Sequence, residues 1–203
     1  MVSNAELKRR AKEQLSGKWG LAIITLFCYN LVISISGYES EGTMTSIVAL
    51  IGFLLMGAIE VGASRFTLNL ANNKSKAKFT DLFSGFDVFF KALGVTVAVT
   101  ILVAIGTLLL IIPGIIALFM FSQVYFILAE DSSVGVIECL KRSAKMMKGY
   151  KMDYFILQLS FIGWFIACIF TFGIGFLWYI PYNQVTTTNF YLELKECDKE
   201  LDE

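Results

Sequence analysis

The chain has 203 residues, 56% of them apolar and 17% charged, and its 17 basic residues balance its 17 acidic ones. A soluble domain carries about a quarter of its residues as charges, so a water-soluble globule is not expected, and neither is a nucleic-acid partner. Histidine, the commonest general base and metal ligand, does not occur. Cys28, Cys139, Cys168 and Cys197 form no C-x-x-C pair and read as small packing residues, so no metal and no cofactor are expected.

Four uncharged runs cover 19–38, 42–59, 92–129 and 154–192. An apolar stretch of about 18 residues or more is a candidate membrane span. The expected fold is therefore all-α, one transmembrane helical bundle over 1–203. Residues 1–18 are polar and helix-like, a cytoplasmic amphipathic helix rather than a cleavable signal peptide. Ser3-x-x-Glu6 resembles a capping box, and Leu7, Ala11 and Leu15 fall on one face. Residues 19–72 form a first hairpin: Trp19 to about Ser36, a turn at Gly37–Gly42, then about Met44 to Leu70, a span interrupted by Glu60 and Arg65.

Residues 79–129 form a second hairpin. The uncharged run Ala92–Ala129 has 38 residues. As one helix it would be about 57 Å long, nearly twice the ~30 Å hydrocarbon core, so it must fold back. Pro113-Gly114 is the expected tip. Residues 133–149 form an interfacial helix with Ile137, Leu140, Ala144 and Met147 on one face and Lys141, Arg142, Lys145 and Lys148 opposite. These four cations are candidate contacts for anionic lipid, or they merely anchor the neighbouring spans. Residues 152–192 repeat the hairpin logic, with a break at Thr171–Gly175 and a kink at Pro181. Residues 193–203 are an acidic tail.

Six spans in three hairpins result, each hairpin preceded by a short interfacial helix. The glycines that end those helices, Gly17, Gly85 and Gly149, are 68 and 64 residues apart. That spacing fits a threefold parallel repeat, or a coincidence among similar apolar segments. Lysine and arginine set the orientation. Sixteen of the 17 basic residues precede span one, lie between spans two and three or four and five, or follow span six. A multi-pass cell-membrane protein with both termini cytoplasmic is expected.

Glu60 is the sharpest functional candidate, because an ionisable residue inside a span is costly. Ala58-x-x-x-Gly62 around it lets another element approach closely. Arg65 lies too far round the helix to face it. Gln123, Gln158, Asn183, Gln184 and Asn189 complete the candidate intramembrane polar set; interhelical hydrogen bonding also explains such residues. Glu130-Asp131 either binds a cation or ends a span, with Ser132-Ser133 capping the next helix.

No H-E-x-x-H, Walker A, G-x-S-x-G or dinucleotide motif occurs, and no catalytic residues are assigned. The first reading is a non-enzymatic membrane protein that binds lipid or partner membrane proteins, as an assembly, stress or self-protection factor. The alternative is a small-solute permease lined by the intramembrane polar residues. A homo-oligomer fits either.

Several stretches carry a resemblance: Ile112-Pro113-Gly114-Ile115-Ile116, Tyr125–Asp131, Met147-Lys148-Gly149-Tyr150-Lys151, Gly173–Trp178, Pro181-Tyr182 and Thr188–Tyr191. With Lys18-Trp19-Gly20 near the start, the chain resembles the bacterial integral membrane family catalogued as "domain of unknown function 975". The resemblance covers nearly the whole chain. It implies a bacterial cytoplasmic-membrane location and no particular activity.

Overall fold

The computed structural model describes residues 2–36, 43–73 and 75–202. Among them every regular element is helical: α1 (Asn4–Leu15), α2 (Trp19–Ser36), α3 (Thr43–Asn72), a 3-10 segment (Phe79–Val88), α4 (Phe89–Leu109), α5 (Ile111–Met120), α6 (Val124–Glu130), α7 (Val136–Met146), α8 (Lys151–Leu159), α9 (Ile162–Phe170) and α10 (Phe176–Asp202). The expected Gly37–Gly42 turn and Lys74 lie outside the described residues.

Among the described residues, four stretches are long and apolar enough to cross a membrane: Ile47–Asn72, Phe79–Leu109, Ile111–Glu130 and Lys151–Phe170. A fifth is available if α1 and α2, bent by 104°, count as one. α10 is not among them.

α3 is the hub, packed against α1, α2, α4, α6, α10 and the 3-10 segment. Its closest partner is that segment. A Cβ on Gly62 would collide with the Leu82 carbonyl, and one on Gly85 with the Ala58 carbonyl. Backbone lies on backbone here, which only glycine allows. The close approach expected at Ala58–Gly62 is present, and a 3-10 segment, not a regular helix, makes it. On the next face, Gly57 admits Thr96 and Ala92 of α4.

The second hairpin turns at Leu110, whose backbone is extended at φ −165° and ψ 151°, and not at Pro113-Gly114. Pro113 falls in the first turn of α5, where a helix has no acceptor for its missing N–H. Gly114 serves packing instead, since a Cβ there would strike Thr107 of α4. The unforeseen break comes later, at Phe121–Gln123 between α5 and α6. Carbonyls released there find hydroxyl donors: Ser143 Oγ donates to Met120 O at 2.8 Å and Ser122 Oγ to Phe119 O at 2.8 Å.

α8 and α9 are likewise separated at Ser160-Phe161, where Lys8 of α1 donates to Ser160 O at 3.0 Å and lies 4.2 Å over the Phe161 ring. The Thr171–Gly175 break joins α9 to α10, with Phe172 at φ 51° and Gly173 at φ 88°. Thr171 and Gly175 share a groove with Lys12, Ser16 and Trp19. The α9–α10 turn therefore reaches the α1–α2 junction. Pro181 lies inside α10.

α1 lies along α10. Leu7, Ala11 and Leu15 are buried. Gln14 and Asn189 exchange amide hydrogen bonds of 2.8 and 3.0 Å, and Arg10 pairs with the buried Glu193 at 2.6 Å. Ser3 caps α1 by accepting from Glu6 N–H, but the Glu6 carboxylate turns to Arg9 and Arg10 instead of closing a capping box. Those hydrogen bonds hold its carboxyl down at about 2. Of the apolar face expected on the 133–149 helix, Met147 is buried and Leu140 and Ala144 pack against the core, beside Cys139, Ser143 and Met146; Ile137 alone departs, at 69% exposed.

Gly85→Ala would push the 3-10 segment off α3. It is expected to lower the thermal midpoint in detergent by more than 5 °C, on the order of 2–3 kcal/mol at a chain of this size. Gly20→Ala, which meets nothing within 4 Å, should leave the midpoint unchanged in the same measurement.

Candidate functional site

Glu60 lies near the middle of α3. Its carboxylate accepts a 2.6 Å hydrogen bond from the Tyr29 hydroxyl of α2, the short distance of a charge-assisted O–H···O contact. Around this pair is a cavity of about 370 Å³ whose lining comes from five stretches of chain. α3 adds Ser64, one turn from Glu60. The α5–α6 break contributes Ser122, and α6 contributes Tyr125. α8 supplies Tyr154 and Gln158 at i, i+4 spacing, and α10 supplies Asn183, Gln184 and Thr187 from one face.

The lining is internally hydrogen-bonded. Asn183 Nδ2 donates to Gln158 Oε1 at 3.2 Å, and Gln158 Nε2 to Thr187 Oγ1 at 3.4 Å. Thr96 Oγ1 gives its proton to Ala92 O at 2.9 Å, so at the 3.0 Å contact with Tyr125 the phenol is the donor. Gln123 is fully buried beside the cavity, its Nε2 donating to Ser122 Oγ at 2.7 Å. Its Oε1 is a buried acceptor without a partner.

Of the seven intramembrane candidates, Glu60, Gln158, Asn183 and Gln184 meet in this cavity, and Gln123 borders it through Ser122. Arg65 does not join them. It reaches Asp87 at 2.9 Å, Ser84 O at 2.6 Å, Ala129 O at 3.2 Å and Ser132 Oγ at 2.7 Å, and so ties α3 to the 3-10 segment and the end of α6. Asn189 is engaged by Gln14 of α1.

Lys141, Arg142 and Lys145 are exposed on α7, and Lys148 is exposed in the turn that follows it. Arg142 pairs with Glu138 at 3.0 Å and Lys145 with Asp198 at 3.3 Å, so part of that basic face answers to protein carboxylates. Glu130 and Asp131 diverge. Glu130 accepts from Tyr191 and Lys195, while Asp131 accepts from the Ser133 N–H and hydroxyl, which hold its carboxyl below the usual range. Ser133 thus serves Asp131 and not the α7 N-terminus, whose cap is Gly135.

Sequence reasoning passed over Tyr29, Tyr125 and Tyr154. Only Tyr29 carried a signal, a phenol in the middle of the uncharged run 19–38; Tyr125 and Tyr154 lie near run ends, where interfacial tyrosines gather.

Residues 1–118 and 94–198 match the family described as "Protein of unknown function (DUF975)", and the chain belongs to that family. No curated protein and no solved structure matches it.

Tyr29→Phe removes the one donor seen on the Glu60 carboxylate. It is expected to destabilise the protein by about 1–3 kcal/mol. Tyr29→Phe combined with Glu60→Gln should recover much of that loss in a detergent melting measurement, because a neutral amide tolerates the missing donor better than a carboxylate.

Proposed function

We propose that this family member is a non-enzymatic, multi-pass protein of the bacterial cytoplasmic membrane that binds a small polar solute carrying an amine in the Glu60 cavity. The single supporting observation is convergence. Polar side chains from α2, α3, the α5–α6 break, α8 and α10 surround one carboxylate inside an otherwise apolar bundle. About 370 Å³ is at the small end of ligand sites, the volume of an amino acid or small amine rather than a lipid. A carboxylate among phenols, amides and hydroxyls is a set of hydrogen-bonding groups suited to holding a cation. The lining holds a single carboxylate and no cysteine or lysine, which argues for binding over turnover. Short irregular turns at Phe121–Gln123 and Ser160-Phe161 lie in the helices that line it. A role as an assembly, stress or self-protection factor that binds lipid or partner proteins is the second reading, favoured by an aromatic groove beside α1.

For the threading, both termini are cytoplasmic in this proposal, in keeping with the distribution of lysine and arginine. α2, α3, α4 and the α5–α6 pair cross the membrane. α8, α9 and α10 enter and leave from the cytoplasmic side, a reading supported by the groove shared between Thr171–Gly175 and the α1–α2 junction. Six crossings would instead carry that turn to the outer face.

Two experiments test these readings. A panel of amino acids, polyamines, sugars and organic acids is screened by thermal shift on the purified protein. At a hundred times its Kd, an amine should raise the midpoint by roughly 5–10 °C, and Glu60→Gln should abolish that shift. A response confined to neutral or anionic solutes, or one kept by Glu60→Gln, would sink the solute reading. For the threading, Ile174→Cys is expected to react with an impermeant maleimide in inside-out vesicles and not in spheroplasts; the reverse would establish six crossings.

A further inference from the structure

All three tryptophans of the chain, Trp19, Trp164 and Trp178, line one groove. They come from the start of α2, from α9 and from α10, so the fold and not local sequence gathers them. The groove encloses about 600 Å³. Ala167, the buried Cys168 and Gly175 also line it. Trp164 and Trp178 are each 50% exposed along its walls. At one end stands Lys12 of α1, its ammonium 5.5 Å from the centroid of the Tyr182 ring.

The chemistry of the two ends differs. The body of the groove is aromatic and aliphatic, dimensions and surface that suit a hydrocarbon chain. Lys12 is exposed and, among the described residues, pairs with no carboxylate. Lys8 lies one turn away on the same face of α1, over Phe161. Lys12 is therefore the ammonium that lines the groove, with Lys8 held nearby on Ser160 O and the Phe161 ring. Tryptophan prefers the headgroup level of a bilayer, where one edge of the indole is wet and the rest is apolar. Lysine at that level attracts anionic lipid and repels the choline of a zwitterionic one. α9 reinforces the point. Every residue from Ile162 to Phe170 except Cys168 is exposed and almost all are apolar, so this wall of the groove belongs in lipid.

We propose that the groove between the α1–α2 junction and the α9–α10 hairpin binds one anionic phospholipid of the cytoplasmic leaflet. The phosphate sits at Lys12 and an acyl chain lies between Trp164 and Trp178. The site is separate from the Glu60 cavity, sharing no lining residue with it, and does not depend on what that cavity binds.

Because the groove holds every tryptophan, the tryptophan fluorescence of the protein, excited selectively over tyrosine, reports on it. The test titrates detergent-solubilised full-length protein with phosphatidylglycerol or phosphatidylcholine brominated on the acyl chains. Brominated phosphatidylglycerol should reach half-maximal quenching at a concentration roughly fivefold lower than brominated phosphatidylcholine, the advantage of one lysine near a bilayer surface. Lys12→Gln should make the two lipids equal, Lys12→Arg should keep the preference, and Lys148→Gln, a charge lost in the turn after α7 and outside the groove, should also keep it. Equal quenching of the unmodified protein by the two lipids, no quenching by either, or a preference that survives Lys12→Gln would each overturn the site. A preference lost in Lys148→Gln would overturn it too, because the selectivity would then be general surface charge. Size-exclusion elution of each variant as the parent species keeps the comparison free of misfolding.

Discussion

A backbone lying directly on another backbone positions everything else in this molecule. Gly62 and Gly85 bring α3 and the 3-10 segment closer than any side chain would permit. In a bilayer, helix association cannot draw on the exclusion of water, and close van der Waals contact takes its place. That contact brings Asp87 and the Ser84 carbonyl within reach of Arg65. Arg65 in turn holds the Ala129 carbonyl and Ser132, which fixes the end of α6. α6 then presents Tyr125, and the break before it presents Ser122, to the cavity at Glu60. A guanidinium with five donors does in this fold what a glycine pair begins.

How much of this was legible follows from what each signal encodes. The apolar runs disclosed that the protein is helical and built for a membrane, because length and charge are summed properties. Glu60, Gln158, Asn183 and Gln184 were legible because polarity inside such a run is rare enough to stand out. Pro113-Gly114 misled. Proline marks where a helix may start as well as where one stops, and the turn lies three residues earlier, at an unmarked leucine. The break that matters to the cavity, Phe121–Gln123, carries neither proline nor glycine. It is stabilised from outside by Ser143 on α7, a tertiary hydrogen bond with no local trace. The exposure of Ile137 has the same origin. α7 packs on α4 and α6 through Cys139, Ser143 and Met146, with Leu140 and Ala144 alongside, and Ile137 lies off that face.

The two cavities divide the chemistry of the chain between them. One gathers hydroxyls, amides and the carboxylate of Glu60; the other gathers every indole and a lysine. They are built by different parts of the same helix. α10 turns Asn183, Gln184 and Thr187 toward Glu60, while Trp178, Tyr179 and Tyr182 line the groove beside α1. Lys8 and Lys12 occupy the boundary, using aromatic faces where carboxylates are not at hand.

The pairing of α1 with α10 also orders events during synthesis. Gln14 waits for Asn189, and Arg10 for Glu193, partners made some 175 and 183 residues later. At a translation rate of about 5–20 residues per second, α1 spends on the order of ten to forty seconds without the helix that buries Leu7, Ala11 and Leu15. Throughout that interval its basic residues and its apolar face have only the bilayer surface or the insertion machinery to rest on. The groove at Lys12 is complete only once α9 and α10 are made, because both line it.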